Sequence, residues 1–267
     1  MAAPALLATA TLSPLDLVLV TLAALGAGTA NALAGGGTLI TFPTLTAVGL
    51  SATVANITNT VALSPGYLGG TVVQRDDLVG QRQRMWPFIS VALVGGLTGG
   101  LLLVRTEERV FELLVPFLIL GATALLAFQD RMRAWLDQRT KTSTNAGRDV
   151  EPWGIALVFL ASIYGGYFGA GLGIMLLAVI GIAVHDSLTR VNALKQATSF
   201  CVNISAALFF VFSGKVAWDA AAVMAGGALA GGVIGGRMAG RVGDALLQRI
   251  VVSVGLFVAL VFFIRLV

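Results

Sequence analysis

The chain has 267 residues, of which 57% are hydrophobic and 11% are charged, and its mean hydropathy is +0.91. Soluble domains carry about 25% charged residues, so this composition excludes a soluble enzyme or a nucleic-acid-binding protein and indicates a polytopic membrane protein. The formal net charge of +4 fits basic cytoplasmic loops. The single Cys201 and single His185 exclude an intrachain disulfide and a metal site of clustered cysteines or histidines, and we expect no cofactor.

Apolar segments follow one another along almost the whole chain. Residues 1–13 lack the basic stretch of a secretory signal peptide, and we interpret 1–14 as an N-terminal tail. A first set of five segments covers 15–34, 38–49, 52–73, 86–104 and 110–128. A basic loop at 129–152, predicted to be cytoplasmic, separates it from a second set at 153–172, 174–184, 188–213, 217–236 and 246–264. The sequence therefore predicts an all-α membrane protein with repeats at 15–128 and 153–267.

The second segment of each set is short and follows a glycine cluster. Three glycines at 35–37 precede one such segment, and Gly169, Gly171 and Gly173 precede the other. At 1.5 Å per residue each segment spans roughly 15–18 Å, which is too short to cross the hydrocarbon core alone. Because glycine lets the backbone break and turn, we predict two glycine-broken helix hairpins.

The two sets match when the sequence is shifted by 136 residues without a gap. The matched pairs include Gly35 with Gly171, Gly37 with Gly173, Ser51 with Ser187, Asn56 with Asn192 and Arg105 with Arg241. Internal repeats with glycine-interrupted segments in corresponding places are typical of secondary transporters. Treating both broken pairs as hairpins puts most lysines and arginines on the side of the 129–152 loop, which favours inverted over parallel repeats.

Polar side chains lie within the third segment of each set, at the spacing of one helix face. The first segment carries Asn56, Asn59, Thr60 and Ser64, and the second carries Asn192, Lys195, Gln196, Ser199 and Asn203. The repeat predicts that these two faces meet at the centre of the molecule. The alternative is that the amides and hydroxyls only hold helices together.

Lys195 is the strongest single indication of a ligand. An ionisable residue within a membrane segment is costly and usually faces a cavity or a partner, so we predict that Lys195 binds an anion. A buried lysine can also release its proton, which would make it a proton-coupling group. The alternative is that its side chain extends to the nearby membrane interface.

The glycine clusters are a second indication of an anion site. A helix start presents unpaired N–H groups and a partial positive charge, and two such starts near the midplane would form an anion site. The alternative for the glycines is close helix packing. The predicted substrate site, which contains no metal, comprises Gly36, Gly37, Thr38, Asn56, Asn59, Thr60, Tyr167, Gly171, Gly173, Asn192, Lys195 and Gln196.

Four stretches of sequence, two in each repeat, resemble the TauE/SafE sulfite-exporter family. In the first repeat they are NALAGGGTLITFPTL at 31–45 and GLSATVAN at 49–56. In the second they are GGYFGAGLG at 165–173 and RVNALK at 190–195. The resemblance covers nearly the whole chain. It implies a multi-pass transporter of the bacterial inner membrane that exports sulfite, an organosulfonate or a related anion.

These observations favour a secondary carrier that exports a small sulfur-containing anion by alternating access. A passive anion channel and a carrier for a non-sulfur organic anion are the alternatives. An intramembrane enzyme would need a catalytic histidine, a cysteine pair or paired carboxylates within the membrane, so we expect no enzyme. The expected partners are a small anion, the lipid bilayer and protons for coupling, without nucleic acid. The glycine-rich faces at 95–100 and 231–236 allow a homodimer as readily as internal packing.

Overall fold

The computed structural model describes residues 12–33, 35–142, 152–184, 186–239 and 245–266. Across these residues the chain forms eleven α-helices, one 3-10 helix at Arg75–Leu78 and no strand, which confirms the predicted all-α fold. The helices are α1 Pro14–Leu33, α2 Thr38–Ala47, α3 Ala52–Val73, α4 Arg82–Arg105, α5 Glu108–Ala127, α6 Gln129–Thr142, α7 Pro152–Tyr167, α8 Leu172–Ala183, α9 Leu188–Val211, α10 Trp218–Met238 and α11 Ala245–Leu266.

Five of the described helices, α1, α4, α5, α9 and α10, are long and apolar enough to cross a membrane. Leucine, valine, phenylalanine and tryptophan side chains remain exposed on their outer faces, as expected for helices in contact with lipid. The helices α2 and α8 have 10 and 12 residues, so neither spans a bilayer alone. The prediction of a multi-pass membrane protein with two short apolar helices is therefore confirmed.

The segment predicted as a basic loop begins with a helix. Residues 129–142 form α6, and its Leu136 is buried against Gly181 of α8. The polar composition of residues 129–142 suggested a loop, but this apolar contact holds them against α8 as a helix. The rest of that loop, at 143–151, lies outside the described residues, as do His185 and residues 1–11 of the predicted N-terminal tail.

The glycine-rich faces of α4 and α10 are packed inside the chain. A Cβ atom added to Gly99 would lie 2.0 Å from the carbonyl oxygen of Ile163, and one added to Gly231 would lie 2.1 Å from that of Leu25. These distances allow only glycine, so α4 packs tightly on α7, and α10 on α1. Of the two uses that the sequence allowed for these faces, internal packing or a homodimer, the structure shows internal packing.

The third helices of the two repeats, α3 and α9, run in opposite directions. Asn192, near the start of α9, donates a hydrogen bond to Gln74 just after the end of α3. One turn further along α9, Gln196 packs against Gly70, which is one turn earlier in α3. By contrast, α10 runs parallel to α3, and α4 runs parallel to α9, as judged from their glycine contacts.

The contacts between the two repeats come in equivalent pairs: where a helix of the first repeat packs on a helix of the second, their counterparts pack on each other as well. Helix α1 packs on α10 as α7 packs on α4, and α3 packs on α10 as α9 packs on α4. The third helices α3 and α9 contact each other, as do the fifth helices α5 and α11. The two polar third helices therefore lie at the centre of the helix arrangement.

The gapless alignment of the repeats is wrong by two residues before the third helix. Gly37 and Gly171, 134 positions apart, directly precede α2 and α8, whereas Ser51 and Ser187, 136 apart, precede α3 and α9. Because α8 is two residues longer than α2, the spacing changes between these points. Gly37 therefore corresponds to Gly171, and not to Gly173.

Candidate substrate site

The two backbone breaks are in direct contact at the centre of the molecule. Gly35 has a φ of +97° and Gly171 a φ of +74°, which is left-handed backbone that side chains disfavour. A Cβ atom added to Gly35 would lie 2.6 Å from Cα of Gly173. The predicted approach of the two glycine clusters is thus present, and it depends on glycine at both contact positions.

Two asparagines hold the break between α1 and α2. Asn31 of α1 accepts a hydrogen bond through Oδ1 from the N–H of Gly37, at 2.7 Å. Asn59 of α3 accepts a hydrogen bond from the hydroxyl of Thr41 and donates one, at 3.3 Å, to Oγ1 of Thr38. All five residues are buried, so the start of α2 is fixed by polar contacts on two sides.

Lys195 reaches this same break from α9. Its side chain is completely buried, and Nζ donates a hydrogen bond to the main-chain oxygen of Asn31 at 3.3 Å. Burial places the ammonium group inside the protein, which argues against the alternative in which the side chain extends to the membrane interface. The amine of Lys195 therefore lies beside the point where α1 ends and α2 begins.

Asn56 and Asn192 occupy equivalent positions and make equivalent bonds. Asn56 Nδ2 donates to the main-chain oxygen of Tyr167, the last residue of α7, at 2.8 Å. Asn192 Nδ2 lies 3.5 Å from the oxygen of Ala32 near the end of α1, and 2.8 Å from Gln74 Oε1. Each asparagine thus satisfies a carbonyl at the break of the other repeat.

Several buried polar atoms on α3 and α9 have no hydrogen-bond partner within the protein. Both amide atoms of Gln196 are in this state, although the side chain is fully buried. The others on these helices are Thr53 Oγ1, Asn56 Oδ1, Asn192 Oδ1 and Ser199 Oγ. Buried polar groups are nearly always hydrogen-bonded, so this set has the capacity to bind a polar ligand or water.

The remaining predicted residues lie outside this polar cluster. Gly36 packs against Leu126 and Val251, and Gly171 packs against Ala122. Thr60 bonds back to the Asn56 carbonyl within α3. The Tyr167 hydroxyl points to Thr106 at 3.4 Å, so only its main-chain oxygen meets a predicted site residue, as described above for Asn56.

The prediction of unpaired N–H groups at the helix starts was wrong for most of the first turn. The Gly37 N–H is bound by Asn31, and the N–H groups of Leu39 and Ile40 donate to carbonyls within the same turn. The same holds at the start of α8 for Leu172, Ile174 and Met175. Because short-range bonds satisfy these groups, binding of an anion here would depend on side chains.

Two residues of the cluster were missing from the predicted site. Asn31 links Gly37 to Lys195, and Thr41 bonds to Asn59. Asn31 is a polar residue in the last turn of an otherwise apolar helix, and this was a usable signal. Thr41 had no such signal, since a threonine in a short helix commonly bonds to its own backbone.

Within the described residues, no group of three or more His, Cys, Asp or Glu is placed to hold a metal ion.

Comparisons with known proteins identify similar chains. The family model described as “Sulfite exporter TauE/SafE” matches residues 20–262. The chain is 26% identical over 223 residues to “Probable membrane transporter protein” of Haemophilus influenzae, covering 83% of this chain and 84% of that protein. It is 25% identical over 244 residues to “Probable membrane transporter protein YfcA” of Escherichia coli strain K12, covering 91% and 87%. No solved structure gives a significant match.

Proposed function

The chain belongs to the sulfite exporter TauE/SafE family, and we propose that it exports a small sulfur-containing anion, such as sulfite or an organosulfonate, as a secondary carrier. The family and the names of the relatives support a membrane transporter. We infer an anionic substrate mainly from Lys195, which is completely buried and whose Nζ lies beside the break between α1 and α2.

Electrostatics favours an anion at this position. A charge in a low-dielectric interior interacts strongly with an opposite charge, and an ionisable residue within a membrane segment usually marks a substrate path. Gln196 follows Lys195 in the sequence, and both polar atoms of its side-chain amide are buried without a hydrogen-bond partner within the protein. Oxygen atoms of a sulfite or sulfonate group would accept hydrogen bonds from the Lys195 ammonium and from Nε2 of Gln196.

The helix directions support inverted repeats and alternating access. Equivalent helices related by an axis along the membrane normal would run parallel, but α3 and α9 run antiparallel. An axis in the membrane plane fits that direction and is common in secondary transporters. The broken pairs α1–α2 and α7–α8, which touch at Gly35 and Gly173, would then open the central site to each side in turn.

The energetics of export suit an anion in the bacterial inner membrane. A membrane potential that is negative inside drives anions outward, by about 2.3 kcal/mol per charge per 100 mV. Export would therefore need no second ion, although Lys195 could couple transport to a proton if it releases its own. In this scheme the basic α6 region faces the cytoplasm.

Binding by the purified protein tests this proposal. We would titrate sulfite, sulfoacetate, taurine, sulfate and acetate by calorimetry, with wild type, Lys195→Gln and the control Lys215→Gln, which removes a lysine in the turn before α10. We expect one sulfur anion to bind selectively, and Lys195→Gln to weaken it at least about tenfold. Selective binding of acetate would favour the non-sulfur carrier, and unchanged binding in Lys195→Gln would remove Lys195 from the site.

Flux into proteoliposomes separates a carrier from a channel. We expect saturable uptake of the bound anion and faster uptake when the same anion is loaded on the other side, because a carrier exchanges its substrate. Uptake that rises linearly with concentration and shows no exchange would instead identify a passive anion channel.

A further inference from the structure

The unpaired polar atoms of α9 lie on one face of the helix. Asn192, Gln196 and Ser199 follow one another at intervals of four and three residues, so their side chains project from the same side. Gln196 and Ser199 are fully buried and Asn192 is 9% exposed. Each has at least one side-chain atom without a hydrogen-bond partner in the protein. The three residues extend over about 10 Å of the helix axis, so one small organic ligand can contact more than one of them.

Contacts with α1 place this face beside the amine of Lys195. Nζ of Lys195 donates to the main-chain oxygen of Asn31 at 3.3 Å. Nδ2 of Asn192 lies 3.5 Å from the main-chain oxygen of the next residue, Ala32. Two neighbouring carbonyl groups of α1 therefore hold the amine and the amide close together. An anion that binds the amine of Lys195 thus lies within reach of the unpaired oxygen of Asn192.

The orientation of the Asn192 amide is fixed, and it leaves the amide oxygen unpaired. Its Nδ2 faces the Ala32 oxygen and donates to Oε1 of Gln74 at 2.8 Å. The Gln74 amide is itself oriented, since its Nε2 donates to the main-chain oxygen of Gly70 at 3.3 Å. Turning the Asn192 amide over would place its oxygen against two other oxygens. Oδ1 of Asn192 is therefore a buried acceptor that no group of the protein supplies with a donor.

Gln196 contributes a second acceptor without a donor. Its amide packs against Gly70, where a Cβ atom would lie 2.5 Å from Nε2, and neither Nε2 nor Oε1 has a partner in the protein. Because both atoms are unpaired, the amide presents one unpaired carbonyl oxygen whichever way it is turned. Thr198, on another face of α9, bonds instead to the Leu194 oxygen at 2.8 Å. The unpaired atoms are thus a property of the face that carries Gln196 and not of α9 as a whole.

An anion made only of acceptors would leave both amide oxygens unpaired. The oxygens of a simple alkyl sulfonate accept hydrogen bonds from Lys195 and from Nε2 of Gln196, but they donate none to Asn192. A site with buried polar groups disfavours a ligand that leaves them unpaired. We propose that Asn192 and Gln196 select an organic anion that carries a hydrogen-bond donor, such as a hydroxyl group, beside its anionic group. This inference rests on the proposed function and narrows its class of substrate.

Calorimetry with two sulfonates of equal size tests this selection. Hydroxyethanesulfonate carries a hydroxyl group where propanesulfonate has a methyl group. We expect the wild-type protein to bind hydroxyethanesulfonate at least about tenfold more tightly, because only its hydroxyl group donates to the unpaired amide oxygens. The comparison is made within one protein, so it does not depend on the folding of any variant. Equal affinities, or tighter binding of propanesulfonate, would overturn the inference and leave the proposed function standing.

Two variants test whether these residues recognise the hydroxyl group. Gln196→Met keeps the length of the side chain without its amide, and Asn192→Ala removes the other unpaired oxygen. We expect each to lower the preference for hydroxyethanesulfonate over propanesulfonate roughly threefold or more. The matched control is Thr198→Val, which removes a buried hydroxyl that is already bonded within α9, and it should leave the preference unchanged. Loss of the preference in either variant supports the inference, and a preference kept in both would overturn it.

A second pair of anions separates this inference from the choice of a sulfur anion. Lactate carries a hydroxyl group where isobutyrate has a methyl group, and both are carboxylates. Binding of carboxylates alone, with lactate preferred, would overturn the sulfur anion of the proposed function and support selection of a donor. Binding of sulfite, but of none of these four organic anions, would overturn the inference alone. Failure to bind any of the anions would overturn both.

Discussion

The two third helices, α3 and α9, have equivalent places in the fold but different chemistry. Asn56 and Asn192 match, and each bonds to the end of a broken helix in the other repeat. One turn further on, Asn59 in α3 corresponds to Lys195 in α9. Asn59 fixes the start of α2, whereas Lys195 places an amine at the end of α1. The two halves thus share the same helix packing, but only one of the two third helices carries a buried lysine.

A second difference lies at the starts of these two helices. The start of α9 carries Arg190 beside Asp186, and the start of α3 carries Val54 beside Leu50. Both helices begin after a serine, Ser51 or Ser187, so the backbone is built alike at the two ends. What differs is the charge of the side chains at the two helix starts.

The largest expected effect comes from breaking the packing that both repeats share. Gly96 and Gly232 are equivalent, and a Cβ atom there would lie 2.4 Å from the Val202 oxygen and 2.0 Å from the Gly66 oxygen. We expect alanine at either position to cost about 3 kcal/mol or more, because backbone must move. Thermal unfolding in detergent measures this. Gly226→Ala, with nothing within 4 Å, is the control, and tolerance of Gly232→Ala would contradict the packing.

The next effect separates the functions of Asn59 and Lys195. Asn59→Leu should destabilise the protein by about 1–3 kcal/mol, because Thr38 and Thr41 lose a buried partner. Anion affinity per folded molecule should change little. Lys195→Gln should show the reverse, with affinity lost and less change in stability. Calorimetry gives the anion affinity and thermal unfolding gives the stability of the same samples. Equal loss of affinity in the two variants would contradict the prediction, because Asn59 would then contribute to anion binding as much as Lys195 does.

A smaller effect is expected at the matched asparagines. Asn56→Ala and Asn192→Ala each remove one bond to a carbonyl at a helix end, and we expect each to cost about 1 kcal/mol. Asn192→Ala should cost more, since it also removes the bond to Gln74. Chemical or thermal unfolding of the two single variants tests this. A larger cost for Asn56→Ala would mean that the break of α7 depends more on its asparagine than the break of α1.

The smallest effect is a pH dependence that comes from the ion pairs of Asp186 with Arg84 and Arg190. Burial raises the pKa of Asp186, but bonds from Arg190, the Ser187 N–H and Arg84 outweigh it and hold the pKa below its ordinary value of 3.8. Because the folded-state pKa is lowered, its contribution to stability is complete above about pH 4 and is lost as the pH falls through the folded value. The unfolding temperature should therefore fall less in Asp186→Asn than in wild type below about pH 4, and equal slopes would exclude the ion pairs as the cause.

Much of the architecture was predictable because it rests on local patterns. The apolar segment predicted at 52–73 is α3, at Ala52–Val73, and the segment at 188–213 is α9, at Leu188–Val211. A spanning helix must satisfy its own backbone and present apolar side chains to lipid, so its length and composition reveal it. The helix α6 was missed, because its position is fixed by the contact between Leu136 and Gly181 rather than by its own polarity.

By itself, the sequence determined the membrane class, the order of the apolar helices, the short helices after the glycines and the buried polar faces on α3 and α9. Only the tertiary structure decided which residues meet: Lys195 bonds to Asn31 across 164 positions of sequence, and Gly35 touches Gly173. The two-residue change in spacing before α9 also appeared only there. Hydrophobic periodicity acts over a few turns of helix, whereas a contact between distant residues is set by the packing of the whole chain.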